Sequence, residues 1–283
     1  MRPRIVLKFG GKSLSSVDKI HDIKEIIIHF KNSGFDVIAV VSAMGNTTDQ
    51  LLNLAQSISK APPKRELDLL VSVGERISMT LLTISLVDAG HPAVSFTGSQ
   101  SGIITSTAFT DARILEVRPS RIEAALERGD VAVVAGFQGV SIDKEVTTLG
   151  RGGSDTTAVA LCHALRASKA CFFKDVGALY TVNPHRDPSA APIDFIDYDG
   201  ALTLLENEDR PLLHLRALAL AKKYFVPLEI FSTNGSKKMY VPGTVIVSQL
   251  PMDASLPTVE DSDAPISIEA HNPFQSKGCS TLK

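Results

Sequence analysis

The 283-residue chain has only three cysteines, Cys162, Cys171 and Cys279, an odd number with no C-x-x-C pair. No disulfide is expected, and the pattern fits a reducing compartment in which cysteine serves as a small apolar residue. An excess of either charge is also missing. Twenty-nine basic residues against 31 acidic ones leave a net charge of -2, which argues against a nucleic-acid surface. The seven histidines show no H-E-x-x-H spacing, so a metal hydrolase is disfavoured and no protein-held metal is expected. No signal-peptide pattern opens the chain, and no apolar run approaches the ~20 residues of a membrane helix. A soluble, cytoplasmic protein without membrane partners is the expectation. What is abundant is hydrophobic side chain, 44% of the total, enough for one large α/β domain or two small ones.

The most informative stretch is Leu149-Gly150-Arg151-Gly152-Gly153-Ser154-Asp155-Thr156-Thr157-Ala158, with three glycines in four positions ahead of a helix-like apolar run. Glycines let the main chain approach a ligand, and the N–H groups and dipole at the start of the helix favour an anion. Ser154 is the expected N-cap. Arg151 adds a two-pronged donor for a carboxylate or phosphate. Asp155 repels an anion unless it holds a lysine, a hydroxyl or an ammonium group, and that need points to chemistry.

Periodicity gives an alternating order of strands and helices. Ile5 to Lys8 reads as a buried strand running into the turn Gly10-Gly11. Ser15-Ser16-Val17-Asp18 is a capping pattern for a helix carrying Ile20, Ile23, Ile27 and Phe30, stopped by Gly34. The apolar run Val37 to Val41 completes a βαβ unit with parallel pairing. Ser42 to Thr48 is then a loop at the carboxyl end of a strand, where open α/β sheets hold their ligands. Helices are expected over Leu51–Ile58, over a long stretch from about Glu66 to Val87, from a Ser120–Glu123 capping box to Arg128, over Ser154–Leu165 and over Leu213–Lys223. Strands are expected at Ala93–Phe96, Val131–Ala135, Ala170–Phe173, Leu228–Phe231 and Thr244–Val247. Thr97 to Asp111, rich in Gly, Ser and Thr, reads as a mobile loop, and Leu179 to Arg186 as a loop with an aromatic ring and a guanidinium suited to a purine and its phosphates. The fold class is α/β, a mainly parallel sheet between helix layers.

Lys8-Phe9-Gly10-Gly11-Lys12-Ser13 together with Gly150 to Ala158 resembles the aspartokinase branch of the amino acid kinase family, whose signatures read K-F-G-G-T-S and G-R-G-G-S-D-T-T-A. The resemblance extends, in the family's order, to Val41–Thr48, Ser72-Val73-Gly74-Glu75, Gly136-Phe137-Gln138-Gly139 and Lys174–Thr181, and covers about residues 3 to 247. It implies a three-layer αβα sandwich over residues 1–248, with the acceptor in the N-terminal half and ATP in the C-terminal half. Residues 249–283, proline-rich and acidic, read as a tail or linker. The implied activity is transfer of the ATP γ-phosphoryl to the side chain of L-aspartate, giving 4-phospho-L-aspartate, with Mg2+ carried chiefly by the nucleotide phosphates.

In that scheme Lys8 and Asp155 are catalytic, Lys8 at the phosphoryl group and Asp155 holding it. Arg151 takes the substrate α-carboxylate and Glu75 its ammonium group, with Thr48, Gly152, Gly153 and Ser154 completing the acceptor site. Lys8, Gly10, Gly11, Ser13, Lys174, Asp175, Tyr180, Arg186 and Arg210 fall on the ATP side, and family habit implies a homodimer.

The match departs from the family at Lys12 and Lys174, where threonines are usual, and at Asn183, His185 and Pro211, with Arg210 standing in for a lysine. Two added positive charges near the phosphate path either strengthen ATP binding, or one of them points outward. Aspartokinases commonly carry ACT regulatory domains after this one. The residues past 248 are too few for one, so the chain reads as a catalytic-only enzyme or a piece of a longer protein. A kinase of a related amino acid and a non-catalytic sensor on the same fold are the competing readings. Glu75 discriminates against acetylated substrates, which lack an ammonium group.

Overall fold

The computed structural model describes residues 2–182, 189–208, 211–233 and 240–248. In chain order the first half contains β1 (Arg4–Phe9), α1 (Val17–Asn32), β2 (Asp36–Val41), α2 (Thr47–Ile58), α3 (Lys64–Val71), α4 (Val73–Asp88), β3 (Ala93–Phe96), β4 (Ile103–Thr105), β5 (Ile114–Val117), α5 (Ser120–Glu127) and β6 (Val131–Ala135). The second half contains β7 (Gln138–Ser141), β8 (Val146–Thr148), α6 (Gly153–Ala164), β9 (Ala170–Lys174), β10 (Leu179–Tyr180), β11 (Pro192–Ile193), β12 (Phe195–Ile196), α7 (Tyr198–Leu205), α8 (Leu215–Tyr224), β13 (Leu228–Ser232) and β14 (Thr244–Ile246).

Among the described residues the main sheet has eight strands in the order β12-β14-β13-β9-β1-β2-β6-β3. Every neighbouring pair is parallel except β13 with β14. Side chains alternate across it, as the two-residue period of a strand requires. Ile5, Leu7 and Phe9 join Val37, Ala39, Val41, Cys171 and Phe173 in a core covered by α1 and α4. Val6, Ile38, Val40, Ala170 and Phe172 face the opposite core, covered by α5, α6, α7 and α8. Two helix layers over a mainly parallel sheet make the expected three-layer sandwich. A smaller sheet, β5-β4-β7-β8, adjoins it.

Several local expectations are corrected. The stretch from Glu66 to Val87 is two helices, α3 and α4, parted at Ser72. The Ser72 carbonyl accepts from the Gln138 amide at 2.9 Å, and a side chain inserted into the ladder in this way breaks a helix. Taken as one helix, Lys64–Asp88 is by length and mean hydropathy (1.5) apolar enough to cross a membrane, contrary to the reading that no such run exists. Met79, Leu82 and Leu86 of α4 are nevertheless packed in the core beneath the sheet.

The Thr97–Asp111 stretch is not simply a loop, because it contains β4, with Ile103 and Thr105 fully buried. Its polar side chains find partners inside, as in the 2.5 Å contact between the Thr105 and Thr147 hydroxyls. Ser120 and Ser154 are not N-caps. Pro119 and Gly152 occupy those positions, and both serines lie within the first helical turn. Ser16 does cap α1, accepting from Lys19 N. α2 begins at Thr47, so the loop after β2 is shorter than the sequence indicates, and α7 and the strands β5, β7, β8, β10, β11 and β12 were not foreseen.

Candidate active site

β9, β1, β2 and β6 lie side by side and parallel, so their carboxyl ends open on one place. A cavity of about 300 Å³ lies there. Its walls are Lys8 near the end of β1 and Gly11 after it, then Ser42, Ala43, Gly45 and Thr48 after β2, Glu75 of α4, Phe137 after β6, and Gly150 through Asp155 entering α6.

Close backbone packing builds the walls. Gly45 N donates to Gly11 O at 2.9 Å, and a Cβ on Gly11 would lie 2.9 Å from the Ala43 carbonyl oxygen. A Cβ on Gly74 would lie 2.7 Å from Ala43 Cβ, so the glycine lets α4 press its first turn against the β2 loop and bring Glu75 inward. Gly152 has φ +73°, and a Cβ there would meet the His214 ring at 2.1 Å. Only glycine fits that position.

Glu75 is buried, and its two oxygens differ. Oε1 accepts from Ala43 N at 3.0 Å, while Oε2 has no hydrogen-bond partner among the described residues. Burial pushes its carboxyl up to about 7, against the pull of the Ala43 N–H and of Lys8. An unpaired carboxylate oxygen lining a cavity selects for a cationic group.

Across the cavity floor Lys8 Nζ lies 2.6 Å from Asp155 Oδ1, with the two side chains only 5% and 8% exposed. Lys174 Nζ reaches the same carboxylate, 3.3 Å from Oδ2. Burial alone would raise the Asp155 carboxyl, but the ammonium groups of Lys174 and Lys8 outweigh it and hold the group far below the usual range.

The structure therefore gathers Lys8, Gly11, Thr48, Glu75, Arg151, Gly152, Gly153, Ser154 and Asp155 around one cavity. Gly10 stands just behind, where a Cβ would lie 3.8 Å from Lys8 Nζ. Ser13 is buried in the turn after β1 and donates its N–H to Gly10 O. The two added lysines diverge. Lys12 is 82% exposed and pairs with Asp175 at 2.8 Å, whereas Lys174 turns inward. Tyr180 lies in the β10–β11 pair, away from the cavity lining. Arg186 and Arg210 fall outside the described residues, as do Asn183 and His185.

Sequence reasoning did not include Phe137 in the site, although its positive φ of 68° between Gly136 and Gln138 marks a forced backbone there. It also missed two supports. Asp68, fully buried, accepts from Thr110 N and from both Thr148 N and Oγ1. Arg216 donates to Leu149 O, Ala112 O and Asp111, tying α8 to the base of the glycine-rich loop.

A parallel α/β sandwich that turns lysine, glycine turns and a helix start toward one cavity belongs to the class of folds that hold small anions and phosphoryl groups at their strand ends. The chain belongs, more particularly, to the amino acid kinase family, whose model matches residues 3–232. It is 44% identical over 252 residues to an aspartokinase of Bacillus sp. (strain MGA3), covering 89% of this chain and 60% of that one. An aspartokinase of Geobacillus stearothermophilus is 45% identical over 252 residues, with 89% and 61% covered. The crystal structure of aspartate kinase from Synechocystis superposes with a TM-score of 0.76 at 39% identity, covering 91% of this chain and 42% of that one. The chain thus spans about 60% of the length of the curated relatives it matches.

Proposed function

We propose that this chain transfers the γ-phosphoryl of ATP to the side-chain carboxylate of L-aspartate, giving 4-phospho-L-aspartate. The observation that carries the reading is the buried Glu75 Oε2, without a partner and lining the same cavity as Arg151 and the Lys8–Asp155 pair. An amino acid with a carboxylate side chain answers all three: ammonium to Glu75, α-carboxylate to Arg151, and side-chain carboxylate toward Lys8. Similarity to aspartokinases at 44–45% identity supports the same substrate.

Forming an acyl phosphate brings two anions together, so the residues must mainly position them and offset negative charge. Lys8 and the N–H groups of Gly10 and Gly11 do this for the phosphoryl group, while Thr48, Gly152, Gly153 and Ser154 shape the acceptor side. Ser13 supports the turn after β1. Asp175, Tyr180, Arg186 and Arg210 belong to the nucleotide side. Asp155 and Asp175 are each held by lysine, which favours Mg2+ arriving on the nucleotide phosphates rather than on protein carboxylates.

The exposed Val73, Ile77, Leu81, Ile84 and Val87, one helical face of α4, support a homodimer. We place the enzyme in the cytoplasm, with residues 1–248 as its kinase domain.

Calorimetry with L-aspartate tests the acceptor site. Aspartate binding, lost in Arg151→Ala and in Glu75→Gln, is expected, with no binding of N-acetyl-aspartate. Equal binding of the acetylated compound would remove the role of Glu75 and the reading with it.

A further inference from the structure

Asp155 is shared by two lysines. Lys8 holds Oδ1 at 2.6 Å, and Lys174 lies astride the carboxylate at 3.4 Å from Oδ1 and 3.3 Å from Oδ2. Sheet register makes this arrangement. β1 and β9 pair with Lys8 opposite Phe172, so Lys174, two residues on, projects from the same face toward α6, where Asp155 sits in the first turn. The three side chains are 5%, 8% and 14% exposed, so a cluster with one excess positive charge is held almost out of water. Such a charge is costly to bury unless an anion joins it. The other charged groups around it do not supply one: Asp175 is paired outward with Lys12, and His214 and Arg151 carry no negative charge. Glu75, which Lys8 also influences, is on the acceptor wall and is already engaged through one oxygen by Ala43 N. An ammonium group has three donors, and among the described residues Asp155 is the acceptor that Lys174 Nζ finds. Donors remain for a ligand.

We propose that Lys174 is a second catalytic ammonium group, holding the transferring phosphoryl together with Lys8, with Asp155 aiming both. The assignment rests on the phosphoryl-transfer reading above. In the step itself, an oxygen of the aspartate carboxylate forms a bond to the γ-phosphorus while the bond from that phosphorus to the β,γ-bridging oxygen breaks. ADP departs with the electron pair, and no proton needs to leave the acceptor. Negative charge gathers on the phosphoryl oxygens and on the leaving oxygen, which is where ammonium groups lower the barrier. Lys8 enters from β1 and Lys174 from β9, so one carboxylate orients two cations reaching from neighbouring strands. Burial first, then Lys8, pulls the Lys174 ammonium down to about 8, with Asp155 opposing them, and a bound polyphosphate restores it.

The test compares the 283-residue chain with Lys174→Gln and Lys174→Arg in two assays: aspartyl hydroxamate formation from pH 6.5 to 9.5, and calorimetric binding of tripolyphosphate. Lys174→Gln is expected to lose about 100-fold in kcat with aspartate KM little changed, and to bind tripolyphosphate about tenfold more weakly. Lys174→Arg, charged at every pH, is expected to keep tripolyphosphate binding and to move the alkaline limb of the rate upward from near pH 8. A Lys174→Gln chain equal to the parent in both assays would overturn the proposal. So would Gln and Arg variants equally impaired with an unchanged pH profile, the mark of a structural lysine. Tripolyphosphate binding that depends on Lys174 in a chain without turnover would refute the aspartate kinase reading and leave the anion assignment standing.

Discussion

Replacing Glu75 by glutamine changes little in shape and much in charge. In the folded protein burial lifts the Glu75 carboxyl from an ordinary 4.5 to about 7. Below about pH 4.5 the group is protonated folded or unfolded, and its neutral form fits the buried site without penalty. As pH rises toward 7 the unfolded chain ionises first, and stability is lost until the folded carboxyl has ionised too. The raised value makes that loss about 3 kcal/mol. Glutamine has no such term. Its carbonyl still accepts from Ala43 N, and its NH2 group, set where Oε2 now lies, adds an offset of about 1–3 kcal/mol that does not vary with pH. The quantity to measure is therefore the stability difference between parent and Glu75→Gln, followed by thermal or urea unfolding at pH 4.5 and pH 8. It should move by about 3 kcal/mol in favour of the variant at the higher pH, or roughly 6–12 °C in relative Tm for a domain of this size. A difference that stays flat across that range would refute the claim that Glu75 is buried without a cation. Saturating aspartate at pH 8 should stabilise the parent more than the variant if, as proposed, its ammonium group supplies the missing partner.

Asp68→Ala removes the acceptor for Thr110 N, Thr148 N and the Thr148 hydroxyl, and should cost about 3 kcal/mol or more in urea unfolding; a loss under about 1 kcal/mol would contradict the anchoring role. Gly152→Ala places a methyl 2.1 Å from the His214 ring at φ +73° and should cost about 2–5 kcal/mol while weakening aspartate at least about tenfold by calorimetry. Wild-type affinity would mean the loop is free to move aside. If the exposed face of α4 forms the proposed dimer, Ile84→Asp should halve the mass seen by light scattering without changing the circular dichroism, and an unchanged mass would remove that face from the proposal.

The strands that build the site were legible because they are buried on both faces: Ile5 to Leu7 and Val37 to Val41 have no polar alternation to confuse with a helix, and their carboxyl ends locate the cavity. Lys8 and Asp155 could be paired from their neighbours because a carboxylate in an anion site needs a cation, and the structure sets them 2.6 Å apart. The inward turn of Lys174 was not legible, since it depends on the register of β1 with β9 and not on local spacing. Asp68 and Arg216 were invisible for a related reason: their partners lie 42 to 105 residues away, and neither sits in a pattern that local periodicity marks. Ser154 looked like a cap, but Gly152 in a left-handed conformation turns the chain into α6 two residues earlier. The break at Ser72 requires Gln138 from the far side of the site.

If the cavity makes an acyl phosphate on aspartate, as proposed, hydroxylamine will trap it. The 283-residue chain should be incubated with ATP, Mg2+, L-aspartate and hydroxylamine, beside Lys8→Ala and Asp155→Ala. Aspartate-dependent hydroxamate that both substitutions abolish is the expected result. ATP-dependent hydroxamate with both variants as active as the parent would contradict phosphoryl transfer at Lys8 and Asp155, and so would no hydroxamate from a chain that binds aspartate, the behaviour of a sensor.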